Sequence, residues 1–354
     1  MAITNPTLPD QIRVDGIRSS AFPNCGLCGT PGETLYTGLV DRLFGAPGTW
    51  TLKQCSKSDC GLAWLDPMPV EPDMHKAYAS YHTHEDPPTP RDSRVRRIYS
   101  FLKPGYLAQR YGYQNVASRW QQALGLLLYL APSRRAAVDA QFLMLAAKEN
   151  ASLLDVGCGN GQTMAWMASL GWQVQGIDTD PAAVQVAASK GLNVRQGSLR
   201  SQPFAAESFD VISMSHVIEH VHDPLSLMKE CYRLLKPSGR LIVITPNSRS
   251  WGHRLYKSHW RGLEPPRHLQ IFARPSLSRL STLAGFASCE CRAISRTARD
   301  MLLASRFLKR NKKTAIHPGL SVRLWAEIMS IMEWAGGYFD RDAGEELFLV
   351  AHKN

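Results

Sequence analysis

From position 151 to about 296 the chain alternates short apolar runs with longer amphipathic ones. Leu153, Leu154 and Val156 predict a short buried strand. Residues 162–170 are good helix formers. A second strand follows over 174–177 and ends at Asp178. Asp180 and Pro181 read as the N-cap and first residue of the next helix, and Gly191 as its stop. Residues 209–214 predict a further strand, and Asp223-Pro224 opens a helix running to Leu235. Residues 236–239 predict a turn before a strand over 241–245. A helix over 275–283, stopped by Gly285, and strands over 288–295 and 346–352 complete the pattern. Strand and helix alternating in this way predict an α/β fold, a doubly wound sheet with helices on both faces.

Outside this core the pattern changes. Residues 50–53 predict a strand between two pairs of cysteines. Residues 82–92 are rich in proline and charge and read as a linker. Residues 94–148 lack strand patterning and predict two or three helices, broken at Pro104-Gly105 and at Pro132. The longest apolar run, 123–131, is too short to span a bilayer. The expected division is a lead-in and ribbon-like module over 1–81, a linker and helical cap over 82–150, and a main domain over 151–354. A helical insertion occupies about 297–343 of that domain.

The first twenty residues are polar and carry Pro6 and Pro9, so no secretory signal is expected and the cytosol is the default location. The eight cysteines then point to thiols or metal rather than disulfides. Cys25 and Cys28 form a Cys-x2-Cys pair, Cys55 and Cys60 a wider one, and a glycine follows each. Two short-spaced thiol pairs can close a tetrahedral zinc site, a structural one because nothing marks an open ligand position. Four plain buried cysteines are the alternative. The net charge of +11 favours anionic partners. It concentrates in two clusters, Arg91 to Arg110 and Arg292 to Lys313. Basic residues on both sides of the 123–131 run make an anionic membrane surface a candidate partner. A solvated basic face and a packed helical cap are the plainer readings.

The stretch Asp155-Val-Gly157-Cys-Gly159-Asn-Gly161 carries the main chemical signal. Its glycines permit backbone angles closed to other residues and let a ligand approach the main chain. The helix start that follows offers free N–H groups and a positive dipole end. The spacing departs from the Gly-x-Gly-x-x-Gly of dinucleotide sites, and Asp155 would repel a pyrophosphate while suiting a ligand with an amine. Asp178 can accept ribose hydroxyls, as acids do at that place in nucleotide folds. These residues resemble the first motifs of the class I S-adenosylmethionine (SAM) dependent methyltransferases. The resemblance implies a Rossmann-like seven-stranded sheet whose last two strands pair antiparallel at one edge. It also implies cofactor contacts from Asp155, Gly157, Gly159, Gly161 and Asp178. Residues 197–204 resemble the family stretch beside the adenine; an acid is common where Ser198 or Leu199 stands, and here Ser198 Oγ and the backbone take that place.

His216, Glu219 and His220 lie in a turn that the family commonly places where cofactor meets acceptor. Their spacing also fits metal ligands on one helical face, and ubiquinone-pathway O-methyltransferases carry a similar cluster there. The preferred reading is of histidines orienting a loop near the methyl donor, with His216 on the cofactor side. Residues 259–272 form a polar loop after the 241–245 strand, and loops at that end of such sheets hold ligands. The resemblance places His268 over the methyl group, as first candidate for a general base, with His220 second. Arg261, Glu264 and Arg267 are candidates to grip the acceptor, while His253 and His259 are expected at the surface. A ribbon before this fold resembles sugar and polysaccharide-cluster methyltransferases, where it covers the acceptor side. The expected function is therefore O-methylation of a glycan, a lipid-linked saccharide or another small molecule. RNA is the alternative, since the charge suits phosphate contacts. A SAM-binding scaffold without catalysis is the third reading.

Overall fold

The computed structural model describes residues 12–79, 94–311 and 319–354. The expected 82–92 linker lies outside them. The chain opens with β1 (Ile12–Val14) and β2 (Ile17–Ser20), then β3 (Gly32–Leu39), β4 (Trp50–Cys55), β5 (Ala63–Leu65) and β6 (Met68–Pro69). Three helices follow, α1 (Arg94–Tyr111), α2 (Arg119–Gly125) and α3 (Pro132–Gln141). The main domain then alternates β7 (Ser152–Val156), α4 (Gln162–Ser169), β8 (Gln173–Asp178), α5 (Pro181–Ser189), β9 (Val194–Gln196), β10 (Phe209–Ser215), α6 (Pro224–Leu234) and β11 (Leu235–Pro246). After α7 (Trp251–Tyr256) come β12 (Gln270–Ile271), α8 (Arg274–Leu283), β13 (Ser288–Ile294), α9 (Ala298–Lys309), α10 (Leu320–Gly336) and β14 (Glu346–His352).

Seven strands form the central sheet in the order β13-β14-β11-β10-β7-β8-β9. β14 runs antiparallel to both its neighbours, as expected. The other pairings are parallel. Successive strand residues point to opposite faces. Leu153, Ile242 and Phe348 therefore join one core with Tyr106, Val138 and Phe142 of the helices before the sheet. Leu154, Val243 and Leu349 join the other, with Met228 of α6, Leu277 of α8 and Trp64 of the ribbon. The helices over 94–148 thus form one layer on the sheet.

Two local expectations are corrected. The turn at 236–239 is a bulge within β11, where pairing with β10 jumps from Phe209↔Leu235 to Val211↔Arg240 and Ser238 takes φ +61°. The break at Pro104-Gly105 is absent, and α1 runs through Pro104. Tertiary packing holds it there: a Cβ on Gly105 would lie 1.7 Å from the Gln121 carbonyl oxygen, so α1 and α2 cross backbone to backbone. The apolar stripe of α10 is exposed at Leu324, Ile328, Ile331 and Met332.

The ribbon sheet has the order β12-β5-β4-β3. β12 belongs to the 259–272 loop and pairs Gln270 with Trp64 and Ile271 with Ala63. That loop supplies a strand of the ribbon, so the N-terminal module is built onto the main domain through β12.

Candidate functional site

β7 leads into the glycine loop and α4 follows it. Gly157, Gly159 and Gly161 take φ of +67°, +54° and +78°. A side chain at Gly157 would meet Val217 Cγ2 at 2.4 Å, and one at Gly161 would meet Leu192 Cδ1 at 2.3 Å. Asp178, at the end of β8, accepts the Gly159 N–H at 2.8 Å and the Asp180 N–H at 2.9 Å. Its carboxylate thereby ties the loop to the neighbouring strand. Asp155 is buried and accepts a hydrogen bond from the Ser213 hydroxyl at 2.7 Å. Burial pushes its carboxyl up to about 7. Ser198 is exposed beside β9, at the start of a short 3-10 turn.

After β10 the chain turns through His216, which has φ +56°. Its ring lies 3.1 Å from Glu219 Oε1 through Nδ1 and 2.8 Å from Glu346 Oε1 through Nε2. Burial opposes the charged form, but the two carboxylates win and raise His216 to about 9. Glu219 is fully buried and also accepts the Thr245 hydroxyl at 2.9 Å. Burial would raise its carboxyl, yet the His216 contact holds it down at about 2.

His220 and His268 meet edge to face, with ring centroids 4.8 Å apart. They come from different elements, the turn after β10 and the loop before β12. One ligating atom each from Glu219, His220 and His268 lies within 4.8 Å of the others. His268 Nδ1 sits 2.7 Å from the Gly262 carbonyl, which accepts from the ring N–H and leaves Nε2 as the free acceptor. Burial, reinforced by His220, pushes His268 down to about 4. His220 is less buried, and Tyr78 of the ribbon module places its hydroxyl 2.9 Å from His220 Nδ1.

A family model described as a methyltransferase domain matches residues 129–290. Residues 129–290 are thus similar to a methyltransferase domain, on a seven-stranded sheet of the Rossmann-like kind expected. A ubiquinone biosynthesis O-methyltransferase of Xanthomonas oryzae pv. oryzae is 40% identical over 142 residues, covering 37% of this chain and 58% of the relative. The namesake protein of Xanthomonas euvesicatoria pv. vesicatoria is 37% identical over the same shares. The chain thus spans 58% of the length of the curated relatives it matches. Among solved structures, a SAM-dependent methyltransferase of Archaeoglobus fulgidus aligns with 18% identity and TM-score 0.41, over 63% of this chain and 93% of that one. A geranyl diphosphate C-methyltransferase of Streptomyces coelicolor A3(2) aligns with 15% identity and TM-score 0.43, over 63% and 76%.

In front of the methyltransferase domain, the four ribbon cysteines converge. Cys25 and Cys60 lie 3.8 Å apart and Cys28 and Cys55 3.5 Å apart, with all four sulfurs within 4.8 Å. A tetrahedral zinc with bonds of about 2.3 Å separates its sulfurs by about 3.8 Å, so the donor set fits that ion. Gly29 and Gly61, after each pair, take φ of +71° and +70°. None of the eight cysteines forms a disulfide in this structure.

The remaining loop residues have other work than gripping an acceptor. Arg267 is buried between two carboxylates, 2.9 Å from Asp41 of the ribbon and 2.9 Å from Glu264, and donates to the Ala77 carbonyl. Arg261 pairs with Glu264. This network joins the ribbon module to the methyltransferase domain. His253 is not a surface residue: it is buried, stacked on Trp260, with its ring 3.1 Å from the Tyr36 hydroxyl. Sequence reasoning missed Asp41 and Glu346. Asp41 accepts the N–H groups of Leu43, Phe44 and Ala46, so its one local signal was an acid opening a turn.

Proposed function

We propose that the chain transfers the methyl group of SAM to a hydroxyl of a glycan, a lipid-linked saccharide or another small molecule. Asp178 carries the reading. It closes the glycine loop at the carboxyl end of β8, where an acid selects a ribose beside the loop. Gly157, Gly159 and Gly161 give the cofactor backbone to approach, Asp155 suits its amine, and Ser198 and His216 flank it. When bound, SAM supplies an electrophilic methyl on a sulfonium, and the acceptor oxygen gains the methyl as it loses its proton. The protein's part is to hold the partners in line and receive that proton.

His220 and His268 are the proton acceptors we propose. A group held near 4, as His268 is, makes a weak base at neutral pH. His220 is less buried, so we put it first, with His268 behind it. A divalent cation held by Glu219, His220 and His268 is the second reading, favoured by their close ligand atoms. Loss of activity on EDTA treatment that Mg2+ restores would select it; activity that persists in EDTA, or that only Zn2+ restores, would select the base. The ribbon cysteines hold a structural zinc in this proposal.

The oxygen acceptor draws support from the Xanthomonas relatives, which are ubiquinone biosynthesis O-methyltransferases. RNA, favoured by the net charge of +11, is the competing acceptor. Transfer of labelled methyl from SAM into a fractionated cell extract, with and without nuclease, tests both. We expect label in the glycan or lipid fraction, indifferent to nuclease, and its loss in His220→Ala with SAM still bound. Nuclease-sensitive label would assign RNA. No label in any fraction, with SAM bound, would favour the scaffold reading.

A further inference from the structure

Among the described residues no helix is long and apolar enough to cross a membrane. The surface of the cap is nonetheless strongly apolar. Ile98, Phe101, Trp120, Leu126, Leu127 and Leu130 are exposed, Trp120 at 80% and Leu130 at 82%. The reason is the α1–α2 crossing. A Cβ on Gly125 would meet the Gly105 carbonyl carbon at 2.3 Å, so the helices touch through backbone. Leu102, Tyr106, Leu107 and Leu128 face the sheet and are buried. Among the described residues no layer lies over the outward apolar ones. Soluble monomers usually scatter such residues singly.

α10 continues the surface. Leu320, Leu324, Ile328 and Ile331 recur at helical spacing and are all exposed, while Ala326, Glu333 and Gly336 on the opposite side are buried. An ion pair of 3.7 Å between Arg134 of α3 and Glu327 of α10 joins the two apolar areas. Between them lies a groove of about 420 Å³ lined by Arg110, Arg292 and Arg341 together with Tyr111, Trp334 and Tyr338. Asp139 and Asp340 also line it, the first with Oδ1 already accepting the hydroxyls of Tyr106 and Tyr111 and the second already accepting from Trp251 and Arg254.

Charge decides what covers this face. Over residues 94–148 nine lysines and arginines stand against one acid, Asp139. A second copy would set two positive faces against each other. An anionic bilayer would complement the arginines and receive the apolar side chains, with tryptophan and tyrosine at the depth they favour. We propose that the outer face of the cap and α10 docks on an anionic membrane surface, with lipid head groups in the arginine groove.

The test is sedimentation of the full chain with vesicles of phosphatidylcholine alone and of phosphatidylcholine mixed with phosphatidylglycerol. We expect at least about tenfold stronger partition onto the anionic vesicles, weakened by salt. Trp120→Asp with Leu130→Asp should abolish it while leaving the melting temperature and SAM affinity unchanged, because both side chains are already exposed. Leu324→Asp with Ile328→Asp on α10 is the independent variant, should the cap variant fail to fold. Absence of wild-type binding to anionic vesicles at low salt would overturn the proposal, as would unchanged binding by both variants. A dimer that the variants dissociate would assign the face to a second copy. Methyl transfer enters none of these readouts, so failure here leaves the proposed reaction standing.

Discussion

At the scale of single residues, Asp178 combines an observed structural task with a proposed chemical one, because the carboxylate that ties the loop is also the group we propose to accept the ribose hydroxyls. Asp178→Asn keeps the size and removes the charge. We expect SAM affinity to fall about tenfold or more, roughly 1.4 kcal/mol, by isothermal titration calorimetry. Unchanged affinity would refute the placement of the cofactor. His216 offers a pH test. Its folded value of about 9 lies above the ordinary 6.5 because two carboxylates hold its charge. The stabilisation is therefore complete below pH 6.5 and is lost as pH rises through 9. We expect the melting temperature of the wild type to decline across that window and the His216→Gln protein to lack that component. Parallel declines would sink the assignment. The glycine motif, the acid ending the second strand and the turn at His216 were legible in the sequence because each is written in a short local pattern; that Asp178 reaches Gly159 and His216 reaches Glu346 was not. The burial of His253 was not, since Trp260 and Tyr36, which cover it, gave no sign of doing so.

At the scale of elements, the alternation of strands and helices was legible over the main domain because it rests on local periodicity and caps. Asp180, for example, accepts the Ala182 N–H as the N-cap it was expected to be. What local pattern missed were positions where packing overrules propensity, such as Pro104 inside α1. It also missed the pairing of β12, two residues long, with a ribbon strand about two hundred positions earlier. Arg267 belongs to the same joint. Arg267→Ala would leave Asp41 and Glu264 buried without their partner, which costs about 3–5 kcal/mol. Denaturant unfolding should show that loss, whereas Arg249→Ala, which removes one hydrogen bond from a half-buried side chain to the Ser58 carbonyl, should cost far less. Equal stability of Arg267→Ala and wild type would show that the network carries no weight.

At the scale of the whole molecule, the ribbon, the sheet and the cap form one interlocked body, with the ribbon sharing a core with the sheet. Zinc loss should therefore be felt beyond the cysteines. We expect about one zinc per chain by elemental analysis, and chelation to lower the melting temperature and weaken the hold on residues 259–272. Cys28→Ser should do the same. A chain free of zinc with an unchanged melting temperature would leave four plain thiols. The sequence by itself determined the order of the elements, the glycine loop, the acid at the second strand and the spacing of the thiols. Each of these is written in residues close together in the chain, where backbone geometry and side-chain chemistry suffice. Only the tertiary structure decided that His268 meets His220, that Arg267 joins two modules, and that the apolar faces of the cap and α10 are exposed among the described residues. Those outcomes depend on which distant surfaces come into contact, and no local pattern encodes that choice.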